Sequence, residues 1–148
     1  MIKINIENET SKLRAVVLGI ATDFGDIPQK EDCYDPKSKA HVIAGTFPTN
    51  KACINEIEPL VGLFEKYGVK VFRPQNIKGL NQIFSRDIAF VISNKLFFPN
   101  IILDRKEELD AMEAVLENIA EQDIIKMPKG TRAEGGDVMP WNKYIFVG

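Results

Sequence analysis

The chain has 148 residues, 45% of them hydrophobic, which suffices for one ordinary domain with a core. A formal net charge of −2 and a pI near 5.5, with no basic stripe interleaved with aromatics, argue against a nucleic-acid partner. The start, Met1-Ile2-Lys3-Ile4-Asn5, carries no apolar signal segment, and no run approaches the roughly 18–20 apolar residues that span a membrane. The expectation is a cytoplasmic protein with no membrane partner.

Leu13 to Leu18 reads as a first buried strand, ending at Gly19. Residues 20 to 45 hold Gly25, Pro28, Pro36 and many charges without a sustained period, and read as a long functional loop. That loop carries Cys33, Asp35 and His41. Cys33 and Cys53 are too few for a disulfide scaffold, fit no metal knuckle, and read as ordinary reduced thiols. His41, the single histidine, reads as a solvated loop residue rather than as half of a catalytic pair with Asp35. Thr46 or Thr49 is predicted to cap a helix running to about Tyr67, stopped at Gly68 and kinked or split at Pro59. Val69 to Phe72 is the next predicted strand, closed by Arg73-Pro74. A hairpin is predicted over 88–99. A helix should follow with Asp104 as N-cap and Leu109, Met112, Val115, Leu116 and Ile119 as its apolar stripe. Ile124 to Met127 is predicted as a strand ended by Pro128.

Two acidic motifs carry the chemistry. Phe84-Ser85-Arg86-Asp87 precedes an apolar run to Ile92, a turn at Ser93-Asn94-Lys95, and Leu96-Phe97-Phe98. Glu134-Gly135-Gly136-Asp137 precedes Val138 to Trp141, then Asn142-Lys143 and Tyr144 to Val147. Both copies read aspartate, apolar strand, Asn-Lys, apolar strand. The two aspartate-to-asparagine spacings differ by an even number, which preserves side-chain facing in strands. The expectation is two carboxylates at equivalent positions of repeated units. A period of about 50 residues calls for a propeller or closed ring, and the chain stops at Gly148 as its second hairpin closes. Hard oxygen donors without Asp-x-Asp spacing leave Ca²⁺ or Mg²⁺ unsupported. A planar guanidinium, gripped by paired charge-assisted hydrogen bonds, is the other candidate cation. Gly135 and Gly136 would let a substrate approach the backbone closely.

The pair Phe-Ser-Arg-Asp and Glu-Gly-Gly-Asp, each leading into a strand, resembles the guanidino-group-modifying enzymes: arginine deiminases, amidinotransferases and dimethylarginine hydrolases. Leu13 to Gly19 and the proline-bounded strand Val69 to Pro74 also look like that superfamily. Gly-Gly-Asp invites comparison with cyclic-dinucleotide synthases too, but Val138-Met139 follows where those need Glu-Phe. The resemblance implies an α/β (α+β) pentein fold, a propeller of repeated ββαβ units. Residues 1–148 would then form one partial domain, incomplete in this chain and about half of the family fold. It implies attack of a cysteine thiolate on the guanidinium carbon, departure of an amine, and resolution of the amidino-cysteine by water (hydrolase) or a second amine (transferase). No cofactor and no metal are expected.

Carried over residue by residue, the resemblance makes Asp87 and Glu134 the guanidinium-gripping carboxylates and Phe84 the aromatic against the guanidinium plane. Asp137 becomes a supporting acid, and Arg86 a brace for the loop. The family's His-x-Asp/Glu motif and its nucleophilic cysteine belong to its C-terminal half, with no matching counterpart here; Cys33, Cys53 and His41 lie in the wrong context. The chain therefore reads as the substrate-holding N-terminal half of such an enzyme. Its partners would be an arginine-like guanidino substrate and a C-terminal half supplied in cis or in trans, with a homo-oligomer left open. The alternative is a non-catalytic module that binds a guanidino compound or caps a partner. Plainer roles stand beside these: Phe84 in a core, Asp87 as a turn cap, Asp137 before a strand, and Lys126, Lys129 and Arg132 as a solvated loop rather than a contact for a substrate carboxylate.

Overall fold

The computed structural model describes residues 1–148. Strand β1 (Ala15–Val17) pairs in parallel with β2 (Lys70–Phe72), Val16 opposite Val71. The crossover between them contains two helices, α1 (Pro36–Ala44) and α2 (Asn50–Lys66). Helix α2 matches the predicted one. The Thr49 side chain accepts from the Ala52 amide at 3.2 Å, and Gly68 lies past the end at φ +72°. It runs through Pro59 as one helix rather than splitting. Helix α1 corrects the structureless loop. Asp35 Oδ2 accepts from the Ser38 amide at 2.6 Å, Pro36 sits in the first turn, and Gly45 caps the end at φ +68°. It buries no residue, so no apolar period marked it.

The central sheet has the order β3-β4-β5. Strand β3 (Phe90–Ile92) is antiparallel to β4 (Lys95–Phe98), and β5 (Ile124–Lys126) lies parallel on the other edge of β4. Phe90 and Phe97 stack at 5.3 Å between ring centroids. Between β4 and β5 a 3₁₀ segment (Leu103–Met112) passes into a single turn of α-helix, α4 (Glu113–Leu116), preceded in chain order by the short α3 (Ser85–Ile88). The predicted order of strand, strand, helix, strand holds here, but the helix does not begin at Asp104. Its backbone cap is Ile102, and most of its length is 3₁₀. Strand β5 ends one residue before predicted, at Lys126. A third, two-stranded sheet pairs β6 (Val138–Trp141) with β7 (Tyr144–Val147).

The first two sheets are joined by side chains, and the N-terminal segment links the second and third through backbone bridges of Ile6 with Ser93 and Asn8 with Trp141. Ile88, Ile101, Met112 and Val115 form the buried cluster, with Val17, Phe72, Phe98, Leu109 and Leu116 packed on it. Burying each such side chain contributes roughly 1.5–3 kcal/mol. The predicted apolar stripe is therefore the core stripe, although its backbone is tighter than α.

The phases of the two hairpins differ by one residue from the alignment of aspartates. Pairing puts Phe90 opposite Phe97 and Met139 opposite Phe146, so the turns are Ser93-Asn94 and Asn142-Lys143. Ser93 (φ +50°) and Asn142 (φ +54°) are the two non-glycine residues in the left-handed region. That register sets Asp87 against Gly136, not against Asp137. Turn geometry, which demands a left-handed first residue, fixes the hairpin phase more firmly than the repeated Asn-Lys does. The chain is thus an α+β assembly of small sheets, and none of its helices is long and apolar enough to cross a membrane.

Candidate guanidinium site

The two acidic motifs meet although 49 residues separate Arg86 from Gly135 in sequence. Motif one is a single helical turn, α3, held against the first sheet. Ser85 Oγ donates to the Val17 carbonyl at 2.9 Å, and Gly19 lets the Gln82–Ile83 backbone pass where a Cβ would collide. Motif two is one 3₁₀ turn, Gly135–Asp137. Arg86 binds them together as a brace, as predicted: Nε donates to the Gly135 carbonyl and Nη2 to the Val138 carbonyl, both at 2.7 Å. Its outer edge pairs with Glu9 at 3.1 and 3.2 Å.

The glycine pair serves this same contact. A Cβ on Gly135 would run into the Arg86 carbonyl oxygen, and one on Gly136 would lie 2.8 Å from Asp87 Oδ1. Neither glycine needs positive φ. Gly135 is required by the approach of the Arg86 backbone, whereas Gly136 faces only the end of the Asp87 side chain.

At the junction, Asp87 and Glu134 converge on one guanidinium, and it belongs to the chain. Arg105 Nη1 donates to Asp87 Oδ2 at 2.9 Å and to Glu134 Oε2 at 3.2 Å. On its other side, Nε and Nη2 donate to the two carboxylate oxygens of Glu108, each at 2.7 Å. Arg105 is 7% and Glu108 4% exposed. The local backbone explains the pair: a 3₁₀ segment eclipses residues i and i+3, so Arg105, Glu108 and Ala111 point the same way, and all three are buried. The bonds to Glu108 raise the Arg105 pKa further, against the opposing effect of burial, with Asp87 adding to the rise. One positive charge thus faces three carboxylates. Tyr34, from the loop before α1, shares this field. Burial raises its hydroxyl pKa, Arg105 lowers it, and Glu108, Asp35 and Glu134 raise it.

Arg105 and Glu108 were missed in sequence. The only signal for them is the Arg-x-x-Glu spacing, which an α-helix also uses for ordinary surface pairs. Asp87 Oδ1 and Glu134 Oε1 make no hydrogen bond within the chain. Glu134 and Asp137 border a cavity of about 170 Å³, whose other walls include Asn100, Ile101, Ile102 and Arg132. Arg132 is the member of the predicted basic cluster that reaches it. Phe84 does not line this cavity; it is 56% exposed at the start of α3. A larger cavity of about 380 Å³, lined by Leu13, Leu63, Phe64, Tyr67 and Val69, has only Lys12 as a charge and offers a guanidinium nothing.

The thiols lie elsewhere. Cys53 is on α2, where burial, with Glu56 adding, pushes its thiol pKa up. Cys33 Sγ contacts the Gln29 carbonyl at 3.5 Å, and His41 Nδ1 is 2.9 Å from Thr46 Oγ1.

No family model and no curated protein matches the sequence. Solved structures do. The inosamine-phosphate amidinotransferase of Streptomyces griseus superposes with a TM-score of 0.65 over 95% of this chain and 53% of its own, at 14% identity. SxtG, an amidinotransferase of the saxitoxin biosynthetic pathway of Microseira wollei, gives 0.69 over 97% and 54%, at 17% identity. A mutant AgrE, solved as a binary complex with L-arginine, gives 0.61 over 87% of this chain and 18% of its own, at 15% identity. The fold of the chain is similar to that of part of these two amidinotransferases. The chain spans about half the length of the two amidinotransferases it matches.

Proposed function

We propose that the chain is the substrate-holding half of an amidinotransferase or arginine-deiminase-like enzyme. It would act on an arginine-like guanidine through a cysteine-amidino intermediate. The observation that carries this reading is the pair Asp87–Glu134, drawn from two distant motifs onto a single guanidinium nitrogen. Carboxylates so placed grip a second planar cation through Oδ1 and Oε1, each charge-assisted bond contributing about 1.5–3 kcal/mol where water is excluded. Exposed Phe84 is available to lie on the guanidinium face, for about 0.5–2 kcal/mol. Asp137 borders the adjoining cavity and adds negative charge.

In this chemistry a thiolate sulfur bonds to the guanidinium carbon as the carbon–amine bond breaks, and the leaving amine takes a proton. Water or an amine then displaces the sulfur. The residues of this chain bind and orient; the nucleophile and proton-shuttling histidine come from a second half, in cis or in trans. A cytoplasmic setting suits a free thiolate nucleophile.

The test joins this chain to a C-terminal half carrying a cysteine and a His-x-Asp/Glu motif, and follows citrulline, ornithine or amidino transfer from arginine. The reading expects activity that Asp87→Ala abolishes. Activity indifferent to Asp87→Ala would refute it. The second reading, a non-catalytic guanidino-binding module, is favoured by the partners of these groups: Cys33 Sγ contacts the Gln29 carbonyl, His41 pairs with Thr46, and burial pushes the Cys53 thiol pKa up. It expects guanidine binding without turnover in every such combination.

A further inference from the structure

We propose that Arg105 and Glu108 are positioning residues that set the Asp87–Glu134 pair, and that this internal guanidinium confers selectivity for planar over spherical cations. The inference rests on the proposed substrate-holding role. Arg105 has five N–H donors in a fixed fork. Two, on Nε and Nη2, are fixed by buried Glu108, and both hydrogens of Nη1 go to Asp87 and Glu134. One nitrogen therefore dictates where Asp87 Oδ2 and Glu134 Oε2 lie, and hence where Oδ1 and Oε1 are presented.

The charge pattern decides whether Arg105 is a fixture or an occupant awaiting displacement. Its shortest bonds are to Glu108, and both partners are buried. An incoming ligand would have to leave that buried carboxylate unpaired to evict it, whereas the more exposed Glu134 and Asp87 gather around it. Three carboxylates against one guanidinium also leave net negative charge after Arg105 is satisfied. The site thus remains attractive to a second cation with Arg105 in place. Lysine could neutralise the same carboxylates but presents no planar fork, so it cannot hold Glu108 bidentately and bridge the pair at once.

The experiment titrates methylguanidinium and methylammonium into the 148-residue chain and its Arg105→Lys, Glu108→Gln and Glu134→Gln variants, checking by circular dichroism that each is folded. Wild type should favour methylguanidinium by about tenfold or more, reflecting one additional charge-assisted bond. Arg105→Lys should remain folded, still bind methylammonium, and lose most of that preference. Glu108→Gln, which frees the fork without removing it, should lose it in part. A preference unchanged in Arg105→Lys overturns the proposal. So does methylguanidinium binding that strengthens in Arg105→Lys, which would make Arg105 an occupant. If wild type and Glu134→Gln bind methylguanidinium alike, the substrate-holding reading itself fails. Loss of preference only in Arg105→Lys leaves that reading intact.

Discussion

Arg86 and Gly135 interlock from both sides. The Arg86 guanidinium takes the Gly135 carbonyl at 2.7 Å, while the Arg86 carbonyl occupies the space a side chain at position 135 would need. The two motifs approach so closely only because one supplies a fork and the other a bare Cα.

The two glycines should therefore separate stability from binding. Gly135→Ala meets backbone, which cannot yield locally, and should cost about 1–3 kcal/mol in urea unfolding. Gly136→Ala meets the end of the Asp87 side chain, and should leave stability nearly unchanged while weakening guanidine binding. Equal stability losses in both would argue against this division.

Arg86 itself should matter more for its inner bonds than for its ion pair. Arg86→Ala removes two charge-assisted bonds to backbone carbonyls and should destabilise by about 2–4 kcal/mol. Glu9→Ala removes a half-exposed partner and should cost under about 1 kcal/mol. Thermal unfolding of both variants checks the ranking.

Helix α1 should respond to acid through its cap. The Ser38 amide and hydroxyl hold the Asp35 carboxyl below the usual aspartate range. A lowered folded value means the cap's support is present above the unfolded value, roughly pH 4, and is lost as pH falls through the folded one. Helical Cα shifts across 36–44 should decline in that window in wild type. In Asp35→Asn, which keeps a capping oxygen without the titration, they should stay level.

Cys53 should be a sluggish thiol. Burial and then Glu56 favour its neutral form, so native alkylation by iodoacetamide near neutral pH should run slower than in the denatured chain. A native rate above the denatured one would restore Cys53 as a nucleophile candidate.

Much of the fold was legible where burial imposed a period. Val115 and Met112 revealed the core stripe, and Thr49 with Gly68 bracketed α2. Helix α1 was hidden because nothing in it is buried; only Asp35-Pro36 and Gly45 marked it. The convergence of Asp87 and Glu134 was readable from their motifs. Arg105 was not, since its role depends on 3₁₀ eclipsing that no local propensity announces. The packing of the glycine pair was not legible either. Gly135 meets the Arg86 carbonyl and Gly136 the Asp87 carboxylate, both remote in sequence, and only tertiary packing shows it.

The central claim is that Asp87 and Glu134 act together on a guanidinium. The most direct measurement follows the side-chain carboxyl ¹³C signals of both residues while methylguanidinium is added at constant ionic strength. The two signals should move together along one saturation curve, and Glu134→Gln should weaken the response of Asp87. Signals that stay still, or that move no more than with an equal concentration of sodium chloride, would contradict it.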